Sequence, residues 1–117
     1  MKNKTTLGNK GEAIAAKYLI AEGYVIVERN WRHKRSEIDL ICKKENTLVF
    51  VEVKTRSSTA FGEPEDAVDE KKAAKVIEGA EEYIFRYDWS YEIRFDIVSV
   101  LIEKNRHKIL HLQDAFY

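Results

Sequence analysis

The residues of this chain best suited to chemistry are Asp39, Glu52 and Lys54, and each sits in an apolar run of β-type sequence. Side chains alternate across a strand, so in Leu48-Val49-Phe50-Val51-Glu52-Val53-Lys54 the three valines share one face. Leu48, Phe50, Glu52 and Lys54 share the other. In Glu37-Ile38-Asp39-Leu40-Ile41-Cys42 the pleat groups Glu37, Asp39 and Ile41 against Ile38, Leu40 and Cys42. If the valine face and the Ile38/Leu40/Cys42 face pack on one helix, Asp39 and Glu52 point the same way. Two carboxylates ~4 Å apart repel by roughly 4 kcal/mol at an effective dielectric of 20. Positive charge must therefore lie between them. Lys54 supplies one charge and a divalent cation two more. An oxygen-rich site with few protein ligands suits Mg²⁺, which keeps several waters and bridges to phosphate. Taken alone, Glu52 and Lys54 read more readily as an exposed cross-strand ion pair at the strand's end, worth about 0 to 1 kcal/mol. It is Asp39 on the preceding strand that shifts the reading toward a site.

Glu12 heads an apolar helical stripe with Ala15, Ala16 and Leu19. It is either a helix-start charge favoured by the dipole or a side chain aimed into a site. Arg29, Arg32, His33, Lys34 and Arg35, with Trp31 among them, lie in the turn that leads to Asp39 and are candidates to track phosphates. The same cluster also fits a solvated hairpin tip. Arg56 and Lys72 are weaker phosphate candidates. His107 and His111 have the i,i+4 spacing of a helical zinc pair, but Lys108-Ile109-Leu110 between them reads as strand. Asp96 reads as structural, and Tyr83, Phe85, Tyr87, Trp89 and Tyr91 as core or dimer surface.

The elements that must hold these residues are legible from periodicity. Thr5 or Thr6 can cap a helix over about 7–22, which Gly23 ends. Strands follow over 24–31, 37–43 and 47–55, with the turns Arg32-His33-Lys34-Arg35-Ser36 and Glu45-Asn46 between them. Such short turns predict an antiparallel meander. A connection over 56–69 holds the only proline, Pro64. A helix over roughly 70–87 carries the stripe Ala73, Val76, Ile77, Ala80 and Ile84. Gly79 within it costs ~1 kcal/mol relative to alanine. Strands over 91–102 and 108–112 complete the order α-β-β-β-α-β-(β), an α/β fold with a mixed β-sheet flanked by helices.

With 117 residues, 44% hydrophobic and 34% charged, the chain is expected to form one soluble domain over 1–117. Twenty basic residues balance twenty acidic ones, so any polyanion site must be local. Cys42 is the single cysteine, which excludes an internal disulfide and a cysteine-based zinc site. No stretch approaches the roughly 18 apolar residues of a membrane span, and residues 1–6 lack the apolar core of a signal peptide. The expected location is the cytoplasm, with no membrane partner.

Three segments together resemble one family: Gly11-Glu12 with Ala15-Ala16-Lys17-Tyr18-Leu19, Glu37-Ile38-Asp39-Leu40-Ile41, and Phe50-Val51-Glu52-Val53-Lys54-Thr55-Arg56. The chain resembles the YraN-like family of predicted endonucleases, within the PD-(D/E)XK nuclease superfamily that includes restriction enzymes and Holliday-junction resolvases. Phe61-Gly62, Ala67-Val68, Lys72 and Arg94-Phe95-Asp96-Ile97-Val98 agree with it. The resemblance implies a restriction-endonuclease-like core and a metal-dependent endonuclease acting on DNA, branched or otherwise structured. It implies catalytic roles for Asp39, Glu52, Lys54 and Glu12, with Mg²⁺ or Mn²⁺ held by Asp39, Glu52 and the Val53 carbonyl. Nucleic-acid contacts are expected from Arg32, Lys34, Arg35, Arg56 and Lys72, and a homodimer is expected because two strands must be cut. The chain departs from the pattern at Ile38, where the superfamily's name has proline, and at Ser36, where the family usually has glycine. The competing readings are a non-catalytic nucleic-acid-binding module that keeps this fold and a structural adaptor.

Overall fold

The computed structural model describes residues 6–57 and 69–116. The candidate cap Thr5 and the stretch holding Phe61-Gly62, Pro64 and Ala67-Val68 lie outside the described residues. The elements are α1 (Thr6–Ala21), β1 (Val25–His33), β2 (Ser36–Lys44), β3 (Thr47–Arg56), α2 (Glu70–Arg86), β4 (Glu92–Glu103) and β5 (Arg106–Leu112). Thr6 opens α1 as its first residue. Gly23, at φ 96°, closes the helix end, where its N–H donates to Ile20 O and that of Tyr24 donates to Leu19 O.

The five strands lie in the order β1-β2-β3-β4-β5. The first three form the expected antiparallel meander. β4 then joins β3 in parallel after the crossover through α2, and β5 folds back antiparallel on β4. Each face of the sheet carries one helix. Ala15, Ala16 and Leu19 of α1 pack on Leu40, Cys42, Val49, Val51, Val98 and Val100. Val76, Ala80 and Tyr83 of α2 pack on Trp31, Ile38, Ile41, Leu48 and Phe50. The buried face of α2 is thus centred on Val76, Gly79, Ala80 and Tyr83, while Ile77 and Ile84 lie at its margin.

One expectation needs correction. Ile38 does not share a face with Leu40 and Cys42: it packs toward α2 with Ile41, while Leu40 and Cys42 pack toward α1. The pleat therefore slips by one residue at Asp39. Pairing of β2 with β3 runs from Lys44↔Thr47 to Leu40↔Val51. Just beyond that ladder the Val53 N–H donates to Asp39 Oδ2 at 2.8 Å. A side chain here does what a main-chain carbonyl does elsewhere in a sheet, and the strands part around it.

Two glycines bring the helices close to this opening. A Cβ on Gly79 would stand 2.9 Å from Ser36 Cβ. Ser36 is itself buried, and its hydroxyl donates to Lys75 O at 2.7 Å, which ties β2 to the first turns of α2. Ser36 thus serves as a docking point for the helix. On the opposite face, a Cβ on Gly11 would fall on the Thr55 side chain. Gly11 is therefore what lets α1 lie against the end of β3. Cys42 is buried as expected, and burial pushes its thiol up to about 12, which leaves it inert at neutral pH.

Gly11→Ala is expected to destabilise the chain by about 1–3 kcal/mol through overpacking, with part of the loss recovered in the pair Gly11→Ala/Thr55→Ala. Urea unfolding measures both. Wild-type stability in the single variant would contradict the close approach.

Candidate active site

Asp39 and Glu52 come from different strands and meet at the floor of one cleft of about 640 Å³. Both are buried, at 5% and 4% exposure. The two side chains sit side by side, close enough that the approach is tolerable only when a proton is shared between them. Loss of water pushes the Glu52 carboxyl up to about 9, Asp39 adds to the rise, and Lys72 pulls the other way. The inserted Asp39 is oriented by the Val53 N–H. Glu52 Oε2 is buried with no hydrogen-bond partner. A buried acceptor normally finds a donor or a cation, so this oxygen is open to either.

Glu12, Lys54 and Val53 line the same cleft, as do Arg35, Glu37, Asp69, Lys71, Lys72 and Lys75. The Gly11–Thr55 contact holds Glu12 on the α1 wall, half-buried. Glu12 thereby stands on the wall of the cleft that holds Asp39 and Glu52. Lys54 is exposed on the wall and is not the charge on Glu52. That charge is Lys72, whose Nζ lies 3.4 Å from Glu52 Oε1. From sequence Lys72 reads only as a weak phosphate candidate, because a pairing between helix and strand leaves no local trace there. Its helix start is placed by Asp69, whose Oδ1 accepts from the Lys72 N–H at 2.8 Å.

The donor set fits a hard divalent cation. Two carboxylates converge, three more, Glu12, Glu37 and Asp69, lie on the walls, and Glu52 Oε2 is buried without a hydrogen-bond partner. Among the described residues no cage of three or more His, Cys, Asp and Glu side chains is gathered. A Mg²⁺-type site takes one or two carboxylates and keeps water on its remaining positions.

The basic turn is less unified than its sequence suggests. Arg35 lines the cleft, while Arg32 and Lys34 are exposed beside it and Arg56 is half-buried. Trp31 is a core residue, and His33 stacks on it at 6.2 Å between ring centres. His33 also lies 3.8 Å from Glu82. These two side chains belong to the packing of α2. Arg29 lies along a different groove, with Ile20 and Val25.

His107 and His111 fall on β5, where four residues span roughly 13 Å, too far for one zinc. His111 serves Asp96 instead. Its Nε2 lies 2.7 Å from Asp96 Oδ2, and a carboxylate can only accept, so Nε2 carries the proton. Nδ1 is 2.9 Å from the Tyr18 hydroxyl. Arg94 donates twice to Asp96, at 2.8 and 2.9 Å, and once to the Tyr24 hydroxyl at 2.6 Å. Asp96 is thus a fully buried tie between α1, β4 and β5, in keeping with its structural reading.

The model of the family described as "Uncharacterised protein family UPF0102" matches residues 11–100. A UPF0102 protein of Flavobacterium psychrophilum is 45% identical over 117 residues, covering 100% of this chain and 98% of the relative. One from Bacteroides thetaiotaomicron is 43% identical, covering 100% and 97%. One from Syntrophomonas wolfei is 46% identical over 111 residues, covering 94% and 96%. Among solved structures, that of Pyrococcus furiosus SfsA in complex with Ca²⁺ is similar with a TM-score of 0.36 and 15% identity. That match covers 92% of this chain and 62% of SfsA. No described helix is long and apolar enough to cross a membrane.

An acid whose pKa rises on folding favours the folded state most fully below its ordinary value, here 4.5. That contribution is lost as pH climbs through the folded value of about 9. In metal-free buffer the stability should therefore fall between about pH 5 and pH 9, and Glu52→Gln should flatten that slope. Denaturant unfolding across this range reads it; equal slopes in both proteins would contradict the assignment.

Proposed function

We propose that this chain, which belongs to the uncharacterised protein family UPF0102, is a metal-dependent endonuclease of the PD-(D/E)XK type that hydrolyses phosphodiester bonds in DNA. The observation that carries this reading is the meeting of Asp39 and Glu52 in a cleft edged by Arg35, Lys54, Lys71, Lys72 and Lys75. Buried acids side by side are costly, and cations around them match the phosphates of a nucleic-acid backbone.

Asp39, Glu52 and the Val53 carbonyl are the groups that would hold Mg²⁺ or Mn²⁺. When bound, such an ion supplies Lewis-acid polarisation of the phosphate and acidification of a water. The chain's own residues do the rest. Lys54, exposed on the cleft wall, positions the attacking water or meets charge that develops on the phosphate oxygens. Glu12, facing the same space from α1, orients water or a second carboxylate ligand. Arg35 with the neighbouring Arg32 and Lys34 guides the strand in from the β1–β2 turn, and Arg56 extends the basic edge beyond β3. The chain's net charge of zero is compatible with this reading because the cations that would meet phosphate are gathered locally, at the cleft. Cutting both strands of a branched substrate calls for two such clefts, hence a homodimer, and the expected location is the cytoplasm.

The test is cleavage of linear, flapped and four-way DNA with Mg²⁺ or Mn²⁺ by wild type, Asp39→Ala and Lys54→Ala. Metal-dependent cutting is expected, abolished in Asp39→Ala and slowed about 10²-fold or more in Lys54→Ala. Binding with no cutting by wild type would instead identify a nucleic-acid-binding module. Neither binding nor cutting would leave a structural adaptor.

A further inference from the structure

We propose that Lys72 is a displaceable counter-cation, which occupies the charge position beside Glu52 until a divalent ion enters and then carries its ammonium to a substrate phosphate. The inference rests on the metal-site reading of Asp39 and Glu52.

The contact itself is of an exchangeable kind. At 3.4 Å from Glu52 Oε1, the Lys72 ammonium sits beyond the 2.7–2.9 Å of a charge-assisted hydrogen bond. It offsets the negative charge left on the proton-sharing Asp39–Glu52 pair without saturating Glu52, since Oε2 has no hydrogen-bond partner. The two ends also differ in freedom. The Glu52 side chain is 5% exposed and fixed in the sheet, whereas that of Lys72 is 50% exposed and opens on the cleft. The Lys72 backbone is pinned by the Asp69 cap and by the Ser36 bond to Lys75 O. Only the four-carbon arm has to move.

Electrostatics favours the exchange. A divalent ion entering on the open Oε2 and an ammonium 3.4 Å from Oε1 of the same carboxylate would repel across a few ångströms. Entry of the ion therefore expels the ammonium into a cleft whose expected ligand is a polyanion. Metal occupancy and phosphate affinity become linked through one side chain. Metal-free protein keeps Lys72 on Glu52 and grips DNA weakly; loaded protein releases it.

The test uses Mn²⁺ titrated into the full chain without nucleic acid, followed calorimetrically, for wild type, Lys72→Met and Lys71→Met. Removing a competitor should tighten Mn²⁺ binding in Lys72→Met by about two- to fivefold. Lys71→Met, which removes the same charge from the cleft rim, should change it less. Binding of labelled four-way DNA, measured by anisotropy, should then be weakened by Lys72→Met more in Ca²⁺ than in EDTA. Unchanged or weaker Mn²⁺ binding in Lys72→Met would overturn the inference and leave the metal site standing. Absence of Mn²⁺ binding in all three proteins would overturn both.

Discussion

Holding two carboxylates together out of water is the constraint around which this chain is arranged. Water must leave both groups, and their charges repel at short range. The fold meets this with several devices at one place. The pleat slips at Asp39 so that its side chain can accept the Val53 N–H. Asp39 and Glu52 sit side by side with a proton to share, and Lys72 brings a positive charge from α2. Both helices are drawn in by glycines at close contacts, Gly11 on Thr55 and Gly79 on Ser36. These contacts build the walls of the cleft as well as the core.

A second buried acid shows how far environment sets behaviour. Burial pushes Asp96 up, as it does Glu52, but the bonds from His111, Arg94 and the Asp114 N–H outweigh it and hold Asp96 below the ordinary range. Asp96 is fully satisfied and joins three elements. Glu52 has an oxygen with no hydrogen-bond partner and a single loosely held cation. A saturated carboxylate has no valence left for a ligand; an unsaturated one invites it.

Much of this was legible in the sequence because the signals are local. Apolar alternation placed β2 and β3, the 3.6-residue stripe placed α2, and Gly23 placed the end of α1. Asp39, Glu52 and Glu12 stood out as carboxylates within apolar patterns, and the cleft brings all three together. What escaped depends on contacts between distant segments. A regular pleat would put Ile38 beside Leu40, and only the parting of β2 from β3 shows otherwise. Lys54 looked like the partner of Glu52 because it is two residues away, yet Lys72 arrives from another element. Trp31 and His33 looked like part of a nucleic-acid patch through their neighbours in sequence, while their rings belong to the packing against α2.

The most direct measurement is a crystal structure of the full chain grown or soaked with Mn²⁺, with anomalous data collected at the manganese edge. A single strong peak about 2 Å from carboxylate oxygens of both Asp39 and Glu52, with the Lys72 ammonium moved off Glu52, is the expected result. No peak at that position, with the two carboxyl groups still side by side at saturating Mn²⁺, would contradict a metal centre there.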